Sequence, residues 1–160
     1  MSSLPRISYA RSADGVSLAF TMAGDGPALV FVPWVPFSNL RMEWQNPLLG
    51  SAFEQLARRL TLVHYDGRGT GHSQRDVTDL SLEAMVSDLE AVIDRAGLAQ
   101  VSLLGQYNSC PHAIAYACLR DAPTFLASGP AAAEVPNRYR PGGDVVHHPV
   151  APDAQPPSVR

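Results

Sequence analysis

The chain contains no lysine: its 12 basic residues are all arginine, set against 15 acidic ones, for a net charge of −3. The arginines are scattered, no basic stripe forms, and binding of nucleic acid by this chain alone is not expected. An all-arginine basic set fits the codon usage of a GC-rich, bacterial genome. Long apolar runs are missing too. No stretch approaches the ~18 apolar residues that span a bilayer, and Met1-Ser2-Ser3-Leu4-Pro5-Arg6 lacks the apolar core of a secretory signal. No membrane partner is expected, and the expected location is cytoplasmic. Cysteine is scarce: Cys110 and Cys118, if both on one helix, lie ~12 Å apart along its axis, beyond disulfide reach, which suits a reducing compartment. No acid or cysteine joins His64 and His72 at ligand spacing, so neither a metal nor a cofactor is expected. There is no internal repeat.

What is present reads as alternating strands and helices. A chain of 160 residues suffices for one domain, which at this size buries roughly 68–70% of its unfolded surface. Arg6–Ala13 and Val16–Ala23 flank Asp14-Gly15, whose residues both tolerate positive φ, and predict an antiparallel hairpin. After the turn Gly24-Asp25-Gly26-Pro27, the apolar run Ala28–Val32 suits a strand buried on both faces. Ser51-x-x-Glu54 has the form of a capping box opening a short helix through Leu60, and Thr61–Tyr65 is the next buried strand. Ser81 caps a longer helix in which Leu82, Met85, Val86, Leu89, Val92 and Ile93 recur at three- and four-residue steps, with Gly97 as its stop. Val101–Leu104 forms a further strand. The pattern predicts an α/β sheet, an N-terminal antiparallel hairpin followed by parallel strands with flanking helices.

One stretch stands apart, from Val101 to Ala117. An apolar run ends at Gly105, a sharp turn of small or polar residues follows, and an Ala-rich amphipathic segment begins after Pro111. This strand, turn and helix resembles the G-x-S-x-G nucleophile elbow of α/β-hydrolases, with Tyr107 where the serine would stand. Upstream, Asp66-Gly67-Arg68-Gly69-Thr70-Gly71-His72-Ser73 looks like the D-x-R-G-x-G-x-S segment that follows a central strand in that family. From about Ile7 to Ala117 the order and spacing are similar to the family's. The resemblance is nearest to hydrolase-like domains of bacterial signalling proteins, where they are joined to helix-turn-helix regulators or nucleotide cyclases. The shared words are Met42-Glu43-Trp44-Gln45, Tyr65-Asp66-Gly67-Arg68-Gly69 and Leu82-Glu83-Ala84. Some of that group carry an N-S-G-P-like turn at the elbow. Asn108-Ser109-Cys110-Pro111 is similar, with Cys110 in place of glycine.

The resemblance implies several more strands than this chain supplies. After Ala117 the character changes, and 8 of the 14 prolines fall in residues 118–160. Such a segment buries too little to offset its ordering entropy. The expected organisation is a partial, truncated α/β-hydrolase-like domain over residues 1–117 and a disordered or frame-shifted tail over 118–160. With no strand expected after Val101–Leu104, the sheet edge is left open to self-association.

Hydrolysis in this family needs a nucleophile, a histidine base, an orienting acid and an oxyanion hole. In the family's chain order the acid and the histidine follow the elbow, from parts of the fold that this sequence lacks. Tyr107, with a phenol pKa near 10 and a bulky ring, reads as a pocket-lining or structural residue rather than a nucleophile. Ser109 is the alternative nucleophile, although it falls where the elbow needs a small residue for close packing. Cys110 reads as a small helix-start residue whose thiol pKa the helix N-terminus would lower. In the oxyanion loop after Val32, prolines cannot donate, which leaves Trp34, Val35 and the Asn108 amide as donors. Trp34, Phe37 and Trp44 make an aromatic wall, either for a small apolar ligand or as a cover for the sheet end. The glycine-rich loop lacks the lysine of a phosphate-binding loop, and Asp66 with Arg68 reads as a hydrogen-bonded floor to the site. His147 and His148 lie in the Pro-rich segment and read as loop.

The resemblance thus implies an α/β-hydrolase-family chain, here with a degenerate elbow and, as an expectation, no turnover of its own. Two other readings remain open. One is a small-ligand sensing or interaction module of a bacterial signalling protein, using an apolar pocket between the Trp34 loop and the Tyr107 turn. The other is a weak esterase with Ser109 or Cys110 as nucleophile and His147 or His148 folded back as base.

Overall fold

A computed structural model describes residues 4–120 and, as backbone, 124–128. The hairpin forms from β1 (Ile7–Arg11) and β2 (Ser17–Ala23). Its loop is longer than an Asp14-Gly15 turn: Arg11 pairs with Ser17, and the Ser12 amide donates to the Val16 carbonyl at 2.9 Å. Of the two turn residues only Gly15 takes positive φ, at +88°. Asp14 instead accepts the Val16 amide on its side chain at 3.3 Å.

β2 continues antiparallel onto β4 (Thr61–Tyr65), and β4, β3 (Ala28–Phe31), β5 (Ser102–Gln106) and β6 (Thr124–Ser128) run parallel, in the order β1-β2-β4-β3-β5-β6. Every residue of β4 is buried, as its apolar run predicts for a strand with neighbours on both edges and helices on both faces. Alternate residues then divide between two layers. Val30, Val63 and Leu103 pack with Val86, Leu89 and Val92 of α3 (Leu82–Ala96) and Ala113 and Tyr116 of α4 (Cys110–Arg120). Leu29 and Leu62 pack on the opposite side against Trp44 of α1 (Leu40–Gln45) and Phe53 of α2 (Pro47–Ala57).

α3 has the expected ends: the Ser81 hydroxyl accepts the Ala84 amide at 3.2 Å, and Gly97 takes φ +70° beyond the last turn. α1 was not expected. It is too short to show periodicity, and it starts because Asn39 accepts the Met42 amide at 3.1 Å while Glu43 returns to the Asn39 amide at 2.8 Å. α2 corrects the Ser51 capping box. Asn46, accepting from Leu48 and Leu49 at 2.9 and 3.0 Å, with Pro47 in the first turn, starts the helix earlier, and Ser51 lies inside it.

Regular elements continue past Ala117. α4 runs on through Arg120, and β6 then pairs with β5 from Ser102–Thr124 to Gln106–Ser128. A strand therefore does follow Val101–Leu104, because Thr124–Ser128 is an apolar run short enough to be masked by the prolines around it. The rest of the expected tail, with His147 and His148, lies outside the described residues. No helix among the described residues is long and apolar enough to cross a membrane.

Candidate active site and its aromatic cover

β5 ends at Gln106, and the chain turns into α4 through a single 3-10 turn, Tyr107–Ser109. Tyr107 has φ +50°, the one non-glycine residue with positive φ among the described residues. The turn is tight because β5 and α4 touch: a Cβ on Gly105 would lie 3.2 Å from the Ala113 side chain and 3.2 Å from the Cys110 backbone. Ser109 closes it from beneath. It is buried, its hydroxyl donates to the Gln106 carbonyl at 2.9 Å and accepts the Gln106 amide at 2.8 Å, and this occupies the group as a local brace. Cys110 is buried at the start of α4, and Cys118 is exposed on the same helix.

Tyr107 points outward, 54% exposed, and its ring stacks on Trp34 at 5.0 Å and 29°. Trp34, 43% exposed, meets Phe37, 68% exposed, edge to face at 5.3 Å. The Asn108 carboxamide donates to the Val35 carbonyl. The elbow and the loop after β3 therefore touch each other directly, where the sequence reading placed a pocket between them. Beneath them lies a recess of about 10 Å³ between Pro33, Tyr65, Arg68, Asp88 and His112, room for about one water.

In the glycine-rich loop, Asp66 and Arg68 are both hydrogen-bonded, each to different neighbours. Asp66 and Arg68 do not pair with each other. Asp66, buried, accepts the Leu40 amide on Oδ1 at 2.8 Å and the His72 amide on Oδ2 at 2.7 Å, with His72 Nδ1 at 3.2 Å. Arg68 grips Asp88 of α3 with two bonds of 2.7 Å and reaches Asp14 of the hairpin loop at 2.8 Å. The hydrogen bonds to Asp88 raise the Arg68 guanidinium further above its ordinary value. Burial pushes the Asp88 carboxyl up, and the two bonds from Arg68 oppose it. Burial, with the charge of Asp88, also holds the Tyr65 phenol well above its usual range, so it stays neutral. Sequence reasoning missed Asp88 and Asp14. The available signal was Asp88 itself, a lone acid three residues after Met85 and four before Val92 on an otherwise apolar helix face.

A strand, a turn with positive φ and a helix packed on the strand through a glycine form a nucleophile elbow in geometry. Solved structures share the overall fold. The bottromycin epimerase BotH, in complex with Bottromycin A2, matches with a TM-score of 0.59 at 29% identity, over 69% of this chain and 43% of that one. An alpha/beta hydrolase from Sphaerobacter thermophilus matches with a TM-score of 0.62 at 28% identity, over 75% of this chain and 44% of that one. The fold is that of an α/β-hydrolase. Among curated proteins, Bifunctional epoxide hydrolase 2 of Sus scrofa is 29% identical over 91 residues, 57% of this chain and 16% of its own length. No family model matches. The chain spans less than half the length of these three relatives.

Within this α/β-hydrolase fold, the elbow presents a phenol. The described histidines are all engaged or enclosed. His72 is held by Asp66, His64 is in the core, and His112 is half-buried on α4, its imidazole lowered by burial against the opposing charge of Asp88. Among the described residues no three His, Cys, Asp or Glu side chains are grouped to hold a metal ion.

Proposed function

We propose that this chain is a non-hydrolytic member of the α/β-hydrolase fold, which binds a small apolar ligand on the Trp34, Phe37 and Tyr107 surface instead of cleaving an ester. One observation carries the reading: the elbow keeps its backbone geometry while Tyr107 occupies it and stacks on Trp34. A phenol with pKa near 10 is a poor acyl acceptor at neutral pH, and the serine nearby, Ser109, is buried and doubly hydrogen-bonded. The epimerase BotH supports it as a relative of similar fold whose name is not that of a hydrolase. The words shared with bacterial signalling proteins extend the proposal to a cytoplasmic sensing role. The test sets a generic ester assay beside a thermal-shift screen of uncharged apolar compounds. The reading requires no turnover and at least one compound whose stabilisation is lost in Trp34→Ala. Ester turnover abolished by Ser109→Ala or Cys110→Ala would instead establish an esterase.

A further inference from the structure

Trp34, Phe37 and Tyr107 lie side by side and exposed, with ring centroids 5.0 Å apart for Trp34 and Tyr107 and 5.3 Å apart for Trp34 and Phe37. Contiguous apolar rings facing water mark a contact site. The backbone shows what can reach them. β3, β5 and β6 run parallel, so their last residues lie at one end of the sheet. Trp34 follows the end of β3 by three residues, Tyr107 follows β5 directly, and Ser128, the last residue of β6, pairs with Gln106. Neighbouring strands lie about 4.8 Å apart, so the chain leaves β6 about 5 Å from the foot of the elbow and about 10 Å from the end of β3. About four extended residues cover the longer distance.

The residues that follow, 129–160, hold seven of the 14 prolines, and their three acids are matched by three arginines, so no net charge opposes an apolar contact. A segment too rich in proline to bury a core of its own can still be laid on rings already in place. Proline suits such rings: it loses no rotamer freedom when buried, and Pro-rich segments dock on aromatic-lined grooves. The receiving rings are held beforehand, Tyr107 by its stack on Trp34, and the Trp34 loop by the bond from Asn108 to the Val35 carbonyl. We propose that residues 129–141, through Pro130, Pro136 and Pro141, occupy the Trp34, Phe37 and Tyr107 surface of their own chain and compete there with the small apolar ligand. The inference rests on the reading of that surface as a binding site and adds its resident occupant. A short link holds the segment at an effective concentration on the order of millimolar, so a contact with a Kd of about 1 mM or tighter is made at least half of the time.

Trp44 is buried, so acrylamide quenching of the full chain reports on Trp34. All three prolines follow β6, outside the elements that build the sheet. In the triple variant Pro130→Ser, Pro136→Ser, Pro141→Ser, the quenching constant should rise about twofold or more, the change from a ring covered at least half of the time to one open throughout. A synthetic peptide of residues 129–141 at about 5 mM should restore the protection in that variant. Equal quenching of parent and variant, or no protection by the peptide, overturns the proposal. Protection in the parent that grows with protein concentration assigns the rings to a second copy and overturns it as well. The ligand reading fails separately. Loss of protection in the variant, with no compound bound by either protein, keeps the proline segment and removes the ligand. A compound that stabilises parent and variant equally keeps the ligand and removes the segment.

Discussion

Tyr107 occupies a backbone position that is costly for any side chain but glycine, at φ +50°; such positions cost on the order of 1–3 kcal/mol and persist where surrounding contacts hold them. Here the holding contacts are the Ser109 brace and the Trp34 stack. Tyr107→Ser is expected to yield no burst of p-nitrophenol from a generic ester, because a serine needs a base to deprotonate it. A measurable burst would reveal a base at the elbow. Gly71, at φ +48°, has no room for a methyl: a Cβ would lie 2.1 Å from Asp66 Oδ2. Gly71→Ala should cost about 2–4 kcal/mol in urea unfolding, from strain and from a displaced buried carboxylate. Arg68→Met should cost about 3–5 kcal/mol, because Asp88 is left charged and buried without its partner. That deficit has a sign in pH. Asp88 in the variant would have its pKa raised by burial, so the penalty is largest above the ordinary aspartate range and shrinks as pH falls and the carboxyl protonates. In the parent, the hydrogen bond from Arg68 lowers Asp14, and the stability it brings is lost as pH falls through that lowered value. Acid unfolding curves of parent and variant should therefore converge toward low pH.

At the scale of elements, α3 carries its own instructions at both ends and along its buried face. Ser81→Ala should destabilise by about 1 kcal/mol through loss of the N-cap, and Leu89→Ala, fully buried against the sheet, by about 2–5 kcal/mol. Thermal unfolding of the two variants checks the order. β4 and β5 were legible for the same reason, a run of apolar residues between turn signals. α1 was not. Six residues span less than two turns, and Leu40 and Trp44, its buried residues, give too few points to define a face. The Ser51 box was a false start for a related reason: a Ser-x-x-Glu spacing recurs by chance inside a helix, and only the earlier Asn46-Pro47 start, with its two amides bound, decides which cap is used.

At the scale of the molecule, six strands form one sheet in which β6 has β5 on one side and no second partner among the described residues. A parallel strand with an open edge offers unpaired backbone groups to another chain. Self-association through that edge is the expected outcome, and a melting temperature that rises with protein concentration, with light scattering above the monomer mass, measures it. A strict monomer with a concentration-independent transition would place other residues of the chain over the edge.

The alternation of apolar runs and capped helices determined by itself the fold class, the strands from β1 to β5 and the helices α3 and α4, because those signals are local: a period, a cap, a turn residue. The elbow was legible as well, since strand, turn and helix are contiguous in the chain. What only the tertiary structure decided are the partnerships between distant residues. Asp66 and Arg68 are two residues apart in the sequence, yet they serve different neighbours, α1 for one and α3 with the hairpin for the other. Trp34 and Tyr107 stack across 73 residues of sequence, a contact that neither segment shows by itself. Which buried polar group answers which is set by the order in which strands lie side by side, and that order is a property of the packed sheet rather than of any segment within it.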